Sequence, residues 1–160
     1  MIQTYTKGKD VSVMVWAAFS GHTGLSDLYI MDRDVEAKKM GYSANSYLEV
    51  LDENLLTMWE PSLIFMQDNA LIHCAKKVKQ WFIDHAIPVL EWPPYSPDLN
   101  PIEHLWWHMK RLVYEVNLEI NNIRGPEAIR IALEEALPRA WELLNRGIIN
   151  TILDLIPRRL

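Results

Sequence analysis

The chain of 160 residues is long enough for one globular core and short for two domains, and its 49% hydrophobic and 23% charged composition is typical of folded proteins. Its formal net charge of -5 excludes a chain-wide basic surface, so any contact with nucleic acid must be local or come from another part of a longer protein. The single cysteine, Cys74, excludes an internal disulfide and fits a reducing compartment, either the nucleus or the cytoplasm.

The first predicted element is a hairpin near the amino end. Val11, Val13 and Val15 alternate in "VSVMVWAAFS", which is the pattern of a strand. Gly21 and Gly24 then mark a turn before a second strand in "LSDLYIMD". The charge-free stretch in this region is interrupted by polar residues and is shorter than the roughly 20 apolar residues that cross a membrane. We therefore expect a soluble protein with no membrane span.

The middle of the chain predicts two helices and two buried strands. One helix begins near Ser46 and must end before Pro61, and a second runs from about Ala75 to His85 with its lysines on the solvated side. "SLIFMQDN" and "IPVLEW" are short, continuous apolar runs, which is the pattern of strands that are covered on both faces. We expect the first of these strands to lie centrally in a sheet.

Helices dominate the rest of the sequence. Apolar residues from Ile102 to Val113 recur at helical spacing. Another helix is predicted from Pro126 to about Leu144, with a kink or a break at Pro138. A hairpin followed by alternating helices and buried strands predicts an α/β fold with a mixed sheet.

Two acidic residues stand where functional groups collect in open α/β sheets, beyond the carboxyl ends of strands. Asp68 follows the first buried strand, and Glu103 follows a proline-rich loop in "EWPPYSPDLNPIEHLWW". Taken alone, Asp68 can be a turn former, and Glu103 can complete a capping box with Asn100 at the start of a helix. Each motif by itself leaves the structural interpretation open.

Taken together, the motifs resemble one family. "MVWAAFS", "MQDNALIH", "WPPYSPDLNPIEHLWW" and "IPRRL" match the pattern of the DDE transposases of the mariner superfamily over nearly the whole chain. The resemblance implies a ribonuclease-H-like mixed sheet flanked by helices, in which three acidic residues bind two divalent metals, Mg²⁺ or Mn²⁺. Asp68 would be the second catalytic acid and metal ligand, and Glu103 the third. The implied partner is DNA at transposon ends, bound in the nucleus by a transposase that can also form a homo-oligomer.

Carboxylates suit this chemistry because two-metal cleavage of a phosphodiester needs hard oxygen ligands that hold two ions about 4 Å apart. One ion activates the attacking oxygen, and the other stabilises the leaving oxygen. The prolines of the loop restrict the segment that would bring Glu103 to Asp68, so the site would be ordered before metal and DNA arrive.

Other residues near these motifs are candidates for the same site. The resemblance gives His73 a catalytic role near the scissile phosphate without making it a metal ligand, and a capping or packing role is the alternative. Trp107, Lys110 and Arg111 lie on the helix after the proline loop and could contact DNA, or could form an ordinary solvated helix edge. We expect Trp92 and Trp107 beside the site. The tryptophans expected in the core are Trp16, Trp59, Trp81 and Trp141.

Two features of the family pattern are missing from the sequence. No first catalytic acid is assigned, because only "MIQTYTKGKD" precedes the hairpin and its Asp10 lies in a turn on the wrong side. The helix-turn-helix region that such transposases carry at the amino end is also not found. We therefore interpret residues 1–160 as a single partial DDE transposase catalytic domain that lacks its first strand and is inactive as a fragment. The alternative is a non-catalytic, transposon-derived domain that binds DNA or a partner protein.

Overall fold

The computed structural model describes residues 11–37, 41–91, 100–144 and 146–155. They fall into two compact units: one contains the chain up to Ile30 and from Pro101 onward, and the other runs from Met31 to Asn100. Within the described ranges, no helix combines the length and the apolar character that a membrane crossing requires.

The first unit contains the predicted hairpin. Its two ladders are antiparallel: β1 (Val15–Trp16) pairs with β4 (Tyr29–Ile30), and β2 (Phe19–Ser20) pairs with β3 (Gly24–Leu25). Between the ladders, the Ser26 amide donates to the Ala18 carbonyl at 2.9 Å and the Ala18 amide donates to Ser26 Oγ at 2.8 Å. Gly24 ends the turn with a φ of +81°, a conformation that side chains with a Cβ rarely adopt. The hairpin prediction is confirmed.

Three helices complete the first unit: α4 (Ile102–Val116), α5 (Pro126–Glu142) and α6 (Arg146–Leu155). Leu105, Met109 and Leu137 from α4 and α5 are fully buried in its core. The rings of Trp106 and Trp141 pack with their centroids 5.2 Å apart. A hydrogen bond also joins helix α5 to the hairpin: Trp141 Nε1 donates to the carbonyl of Ser26, between β3 and β4, at 2.7 Å.

Pro138 lies inside α5 without interrupting it. The sequence predicts a kink or a break at this residue, and the predicted break is wrong because the helix continues to Glu142. A proline inside a helix removes one hydrogen bond and costs about 3 kcal/mol. The neighbouring Leu137 and Ala140 are fully buried, so their packing offsets that cost and keeps the chain helical through the proline.

The second unit contains the two middle helices. The first is composite: α1 (Ala44–Val50) continues as a π-helical segment (Leu51–Leu55) and ends as α2 (Leu56–Met58). Ser43 caps α1, since its side chain accepts a hydrogen bond from the Asn45 amide at 2.9 Å. The next helix, α3 (Lys76–Asp84), packs on α1 and buries Val78, Trp81 and Phe82. Both predicted helices are confirmed, and the predicted lysine face is exposed.

The two predicted buried strands are reduced to one parallel bridge. Phe65 pairs with Val89 through hydrogen bonds of 2.8 Å from the Phe65 amide to the Pro88 carbonyl and from the Leu90 amide to the Phe65 carbonyl. Among the described residues, neither segment has a longer ladder, and Ile64 is 64% exposed. A central strand pairs along both of its edges, so within the described residues this prediction is confirmed only as far as the one bridge, and the central buried strand stays a prediction.

Candidate metal centre

Asp68 begins a tight turn that leads from the parallel bridge to α3. Its Oδ1 accepts hydrogen bonds from the Ala70 amide at 3.0 Å and from His73 Nδ1 at 2.7 Å. The Ala70 carbonyl in turn accepts from the amides of His73 and Cys74 at 2.9 and 3.0 Å. The side chain of Asp68 is 37% exposed, so the turn presents an accessible carboxylate on an ordered backbone.

The environment of Asp68 favours its ionised form. The hydrogen bond from His73 lowers the pKa of the Asp68 carboxyl, the Ala70 amide acts in the same direction, and partial burial opposes both. An ionised carboxylate only accepts hydrogen bonds, so His73 Nδ1 carries the shared proton. In the neutral imidazole, the lone pair then lies on Nε2.

The donor atoms at Asp68 fit a divalent cation. Oδ2 accepts no hydrogen bond from any residue that the structure describes, whereas Oδ1 is held by two donors. An ionised oxygen with free lone pairs is the ligand that Mg²⁺ and Mn²⁺ prefer. In the described part of the chain, however, no group of three His, Cys, Asp or Glu side chains comes together.

His73 is held from the other side by Tyr47, a residue that the sequence analysis did not single out. The two rings lie with their centroids 4.4 Å apart, and Tyr47 is only 1% exposed. The Tyr47 hydroxyl donates to Gln67 Oε1 at 2.7 Å. The helical spacing that places Tyr47 beside the buried Val50 and Leu51 could have identified it as a core residue, but not as a neighbour of His73.

Glu103 lies near the start of α4, in the first unit, with an exposed side chain. The helix spans Ile102–Val116, and Pro101 before it already has helical backbone torsions, with a φ of -62° and a ψ of -26°. The predicted capping box, with Asn100 as the cap and Glu103 in the third position, stays a prediction. The convergence of Glu103 with Asp68 on one metal stays a prediction.

The exposed face of α4 carries the predicted DNA-contact residues. Trp107 is 55% exposed, and the Arg111 guanidinium lies 5.3 Å from the centroid of its ring, within cation–π range. His108 meets the same ring edge-on at a centroid distance of 4.8 Å. Lys110 is exposed on the same helix. An aromatic ring and a guanidinium thus lie in contact a few residues after Glu103, with a second exposed cation on the same helix.

The remaining tryptophan predictions have different outcomes, and some predicted residues lie outside the described part of the chain. Trp16, Trp81 and Trp141 are buried, as predicted for core residues. Trp59 is only partly buried. Trp92, most of the proline-rich loop, Asp10 and the "IPRRL" motif lie outside the described residues.

The match to a family model defines the class of this protein. Residues 2–122 match the model described as DDE superfamily endonuclease, and the chain belongs to this family. The resemblance of its motifs to DDE transposases is confirmed.

Individual relatives are transposable-element transposases of nematodes. The chain is 37% identical over 158 residues to the Tcb2 transposase of Caenorhabditis briggsae, with 92% of this chain and 50% of the relative covered. It is 32% identical over 157 residues to the Tc1 transposase of Caenorhabditis elegans, with the same coverage. It is 29% identical over 150 residues to the Tc3 transposase of Caenorhabditis elegans, with 93% of this chain and 42% of that protein covered. The chain spans about half the length of these curated relatives.

Proposed function

We propose that this chain carries part of the catalytic region of a transposase that cuts and joins DNA at transposon ends, in the nucleus, with Mg²⁺ or Mn²⁺. The observation that carries the proposal is the family match over residues 2–122, which include both Asp68 and Glu103. The similarity to nematode transposases supports the same class of reaction. The ionised, accessible carboxylate of Asp68 supports the metal dependence.

Three side chains have distinct roles in this proposal. Asp68 would hold a divalent ion through Oδ2, and Glu103 would hold it through its exposed carboxylate. His73 keeps Oδ1 of Asp68 in place through the 2.7 Å hydrogen bond, which would leave the other oxygen to bind an ion. The bound ions supply electrostatic stabilisation of the charge that develops during phosphodiester cleavage.

The proposed fold is the ribonuclease-H-like mixed sheet flanked by helices. The parallel bridge between Phe65 and Val89 supports this fold with one parallel pairing in the second unit, and the hairpin in the first unit supports it with antiparallel pairing. Asp68 follows this bridge by a few residues, which is the position that α/β folds use for functional groups.

The α4 face supports contact with DNA. An exposed Trp107 ring can stack on a base, and Lys110 and Arg111 can neutralise phosphates.

We expect Trp107→Ala to weaken binding to single-stranded DNA on the order of tenfold. On double-stranded DNA, Lys110→Ala and Arg111→Ala should each lower the slope of log affinity against log salt by about 0.9. Fluorescence anisotropy at several salt concentrations measures both effects, with the exposed Lys79→Ala on α3 as the control. Equal affinities and slopes in all variants would remove α4 from the DNA-binding surface.

Binding of Mn²⁺ tests the metal site directly. We expect Asp68→Asn and Glu103→Gln each to weaken Mn²⁺ binding by tenfold or more, because each removes a charged oxygen ligand at little change in shape. Water proton relaxation enhancement measures the affinity, and paramagnetic broadening in NMR spectra locates the ion. Asp84→Asn and Glu115→Gln, exposed acids at the end of α3 and on α4, are matched controls. If Mn²⁺ affinity is the same in all five proteins, the metal site is not formed by these acids.

A further inference from the structure

Tyr47 touches the residues that flank Asp68 on both sides. Its ring packs against His73, which follows Asp68 in the turn, with a centroid distance of 4.4 Å and an angle of 39° between the ring planes. Its hydroxyl donates to Oε1 of Gln67, which precedes Asp68, at 2.7 Å. One side chain from α1 therefore holds both ends of the segment that carries the acid.

The ring contact restricts the imidazole of His73. A histidine side chain can turn about its terminal torsion, which has broad minima, and only some orientations direct Nδ1 at the carboxylate. The Tyr47 ring blocks one face of the imidazole while Nδ1 stands 2.7 Å from Oδ1 of Asp68. His73 is itself only 20% exposed at its side chain, so little water competes for this hydrogen bond.

Tyr47 is well anchored for such a role. It is 1% exposed within α1, and its amide donates at 3.1 Å to the carbonyl of the cap residue Ser43. A buried tyrosine ring and a satisfied hydroxyl leave the side chain one position. By contrast, Asp68 and His73 lie in a turn whose backbone alone would leave their side chains free to change rotamer.

We propose that Tyr47 is a positioning residue, which orients His73 so that Asp68 is held by Oδ1 and presents Oδ2 to a divalent cation. The proposal rests on the proposed function only in naming the cation. Tyr47 acts through His73 and Gln67 and is not itself a metal ligand. Partners of this kind, one contact removed from the ligand, change metal affinity by about 10- to 100-fold when they are lost.

The experiment compares Tyr47→Leu, Tyr47→Phe and Leu55→Ala in the full chain. Tyr47→Leu removes the ring, and Tyr47→Phe removes only the hydroxyl. Leu55→Ala destabilises the same composite helix from a buried site eight residues further on. ¹⁵N NMR of the histidine rings reports which nitrogen of His73 carries the proton, and Mn²⁺ broadening reports the affinity of the site.

In the native chain we expect a His73 spectrum with the proton fixed on Nδ1. Tyr47→Leu should give a mixture of the two proton positions and a Mn²⁺ affinity about tenfold lower. Tyr47→Phe should keep the proton position, because the ring remains, and should lower the affinity less. Leu55→Ala, measured well below its unfolding temperature, should leave both signals as in the native chain.

The proposal is overturned if Tyr47→Leu matches Leu55→Ala in both measurements. If Tyr47→Leu does not fold, the native chain decides: a His73 spectrum with the proton on Nε2, or a mixture of the two proton positions, would overturn the proposal. A third outcome separates the two proposals. If the native chain binds no Mn²⁺ while Tyr47→Leu still gives a mixture of the two proton positions on His73, the positioning role stands and the proposed metal-dependent function fails.

Discussion

Ala86 adopts a left-handed backbone conformation, with a φ of +51°, directly after the cap residue of α3. Its amide donates to the Ile83 carbonyl, and the Ile87 amide donates to the Phe82 carbonyl, both at 3.0 Å. These two hydrogen bonds form a Schellman motif, in which this position is usually glycine. The Cβ of alanine costs roughly 1–2 kcal/mol there, which exceeds the entropy that a glycine would lose on folding.

We therefore expect Ala86→Gly to stabilise the protein by up to about 1 kcal/mol. Ala75→Gly is the matched control: Ala75 precedes α3 with a φ of -60°, where glycine relieves no strain. Urea denaturation of both variants measures the change in the free energy of unfolding. Equal destabilisation by the two substitutions would contradict the argument.

Residue types in the sequence predict much of the candidate site, but not its contacts. Asp68 and His73 are both identified from the "MQDNALIH" motif, because their chemistry is visible in the residue types. Their direct hydrogen bond depends on the geometry of the turn between them, which the motif does not specify. Tyr47 contacts His73 from a different helix, and contacts between distant segments leave no periodic signal in a single sequence.

At the scale of secondary structure, helices are predicted better than strands. Helix α3 forms where its 3.6-residue pattern predicts, because a helix makes its hydrogen bonds within one segment, and it buries Val78, Trp81 and Phe82 of the predicted apolar side. The π-helical segment Leu51–Leu55 gives no signal, since its residues keep nearly the same apolar spacing as an α-helix. The short apolar run around Phe65 predicts a buried strand, but a strand exists only to the extent that another segment pairs with it.

Pro138 makes α5 a further test of how packing overrides local preference. Pro138→Ala restores the amide that can donate to the Glu134 carbonyl, so we expect the free energy of unfolding to rise by about 1–3 kcal/mol. Pro126→Ala provides the control, because Pro126 is the first residue of the same helix, where proline is tolerated. Thermal and urea unfolding followed by circular dichroism measure both. A neutral or destabilising Pro138→Ala would show that the proline ring packs better than we infer.

At the scale of the whole molecule, the family is evident from sequence while the complete ligand set is not. Asp68 and Glu103 stand in the two motifs most typical of the family, and both lie within the matched region. The first acid is not assigned, because the amino-terminal candidate Asp10 is predicted in a turn on the wrong side of the hairpin and lies outside the described residues. Two carboxylates alone hold a pair of divalent ions weakly and fix their positions poorly.

For this reason we expect the 160-residue chain, tested alone, to nick DNA no faster than its Asp68→Ala variant. In-line attack depends on the placement of both ions, and a small displacement of the reacting groups can cost about 100-fold in rate. The net charge of -5 also limits non-specific affinity for DNA, which comes mainly from phosphate contacts. Nicking of supercoiled plasmid in Mg²⁺ or Mn²⁺ measures this for the native chain, Asp68→Ala and Glu103→Ala, with Glu115→Ala as the control. Strong nicking that either catalytic substitution abolishes, and that the control keeps, would mean that another acid, with Asp10 the first to test, completes the metal site.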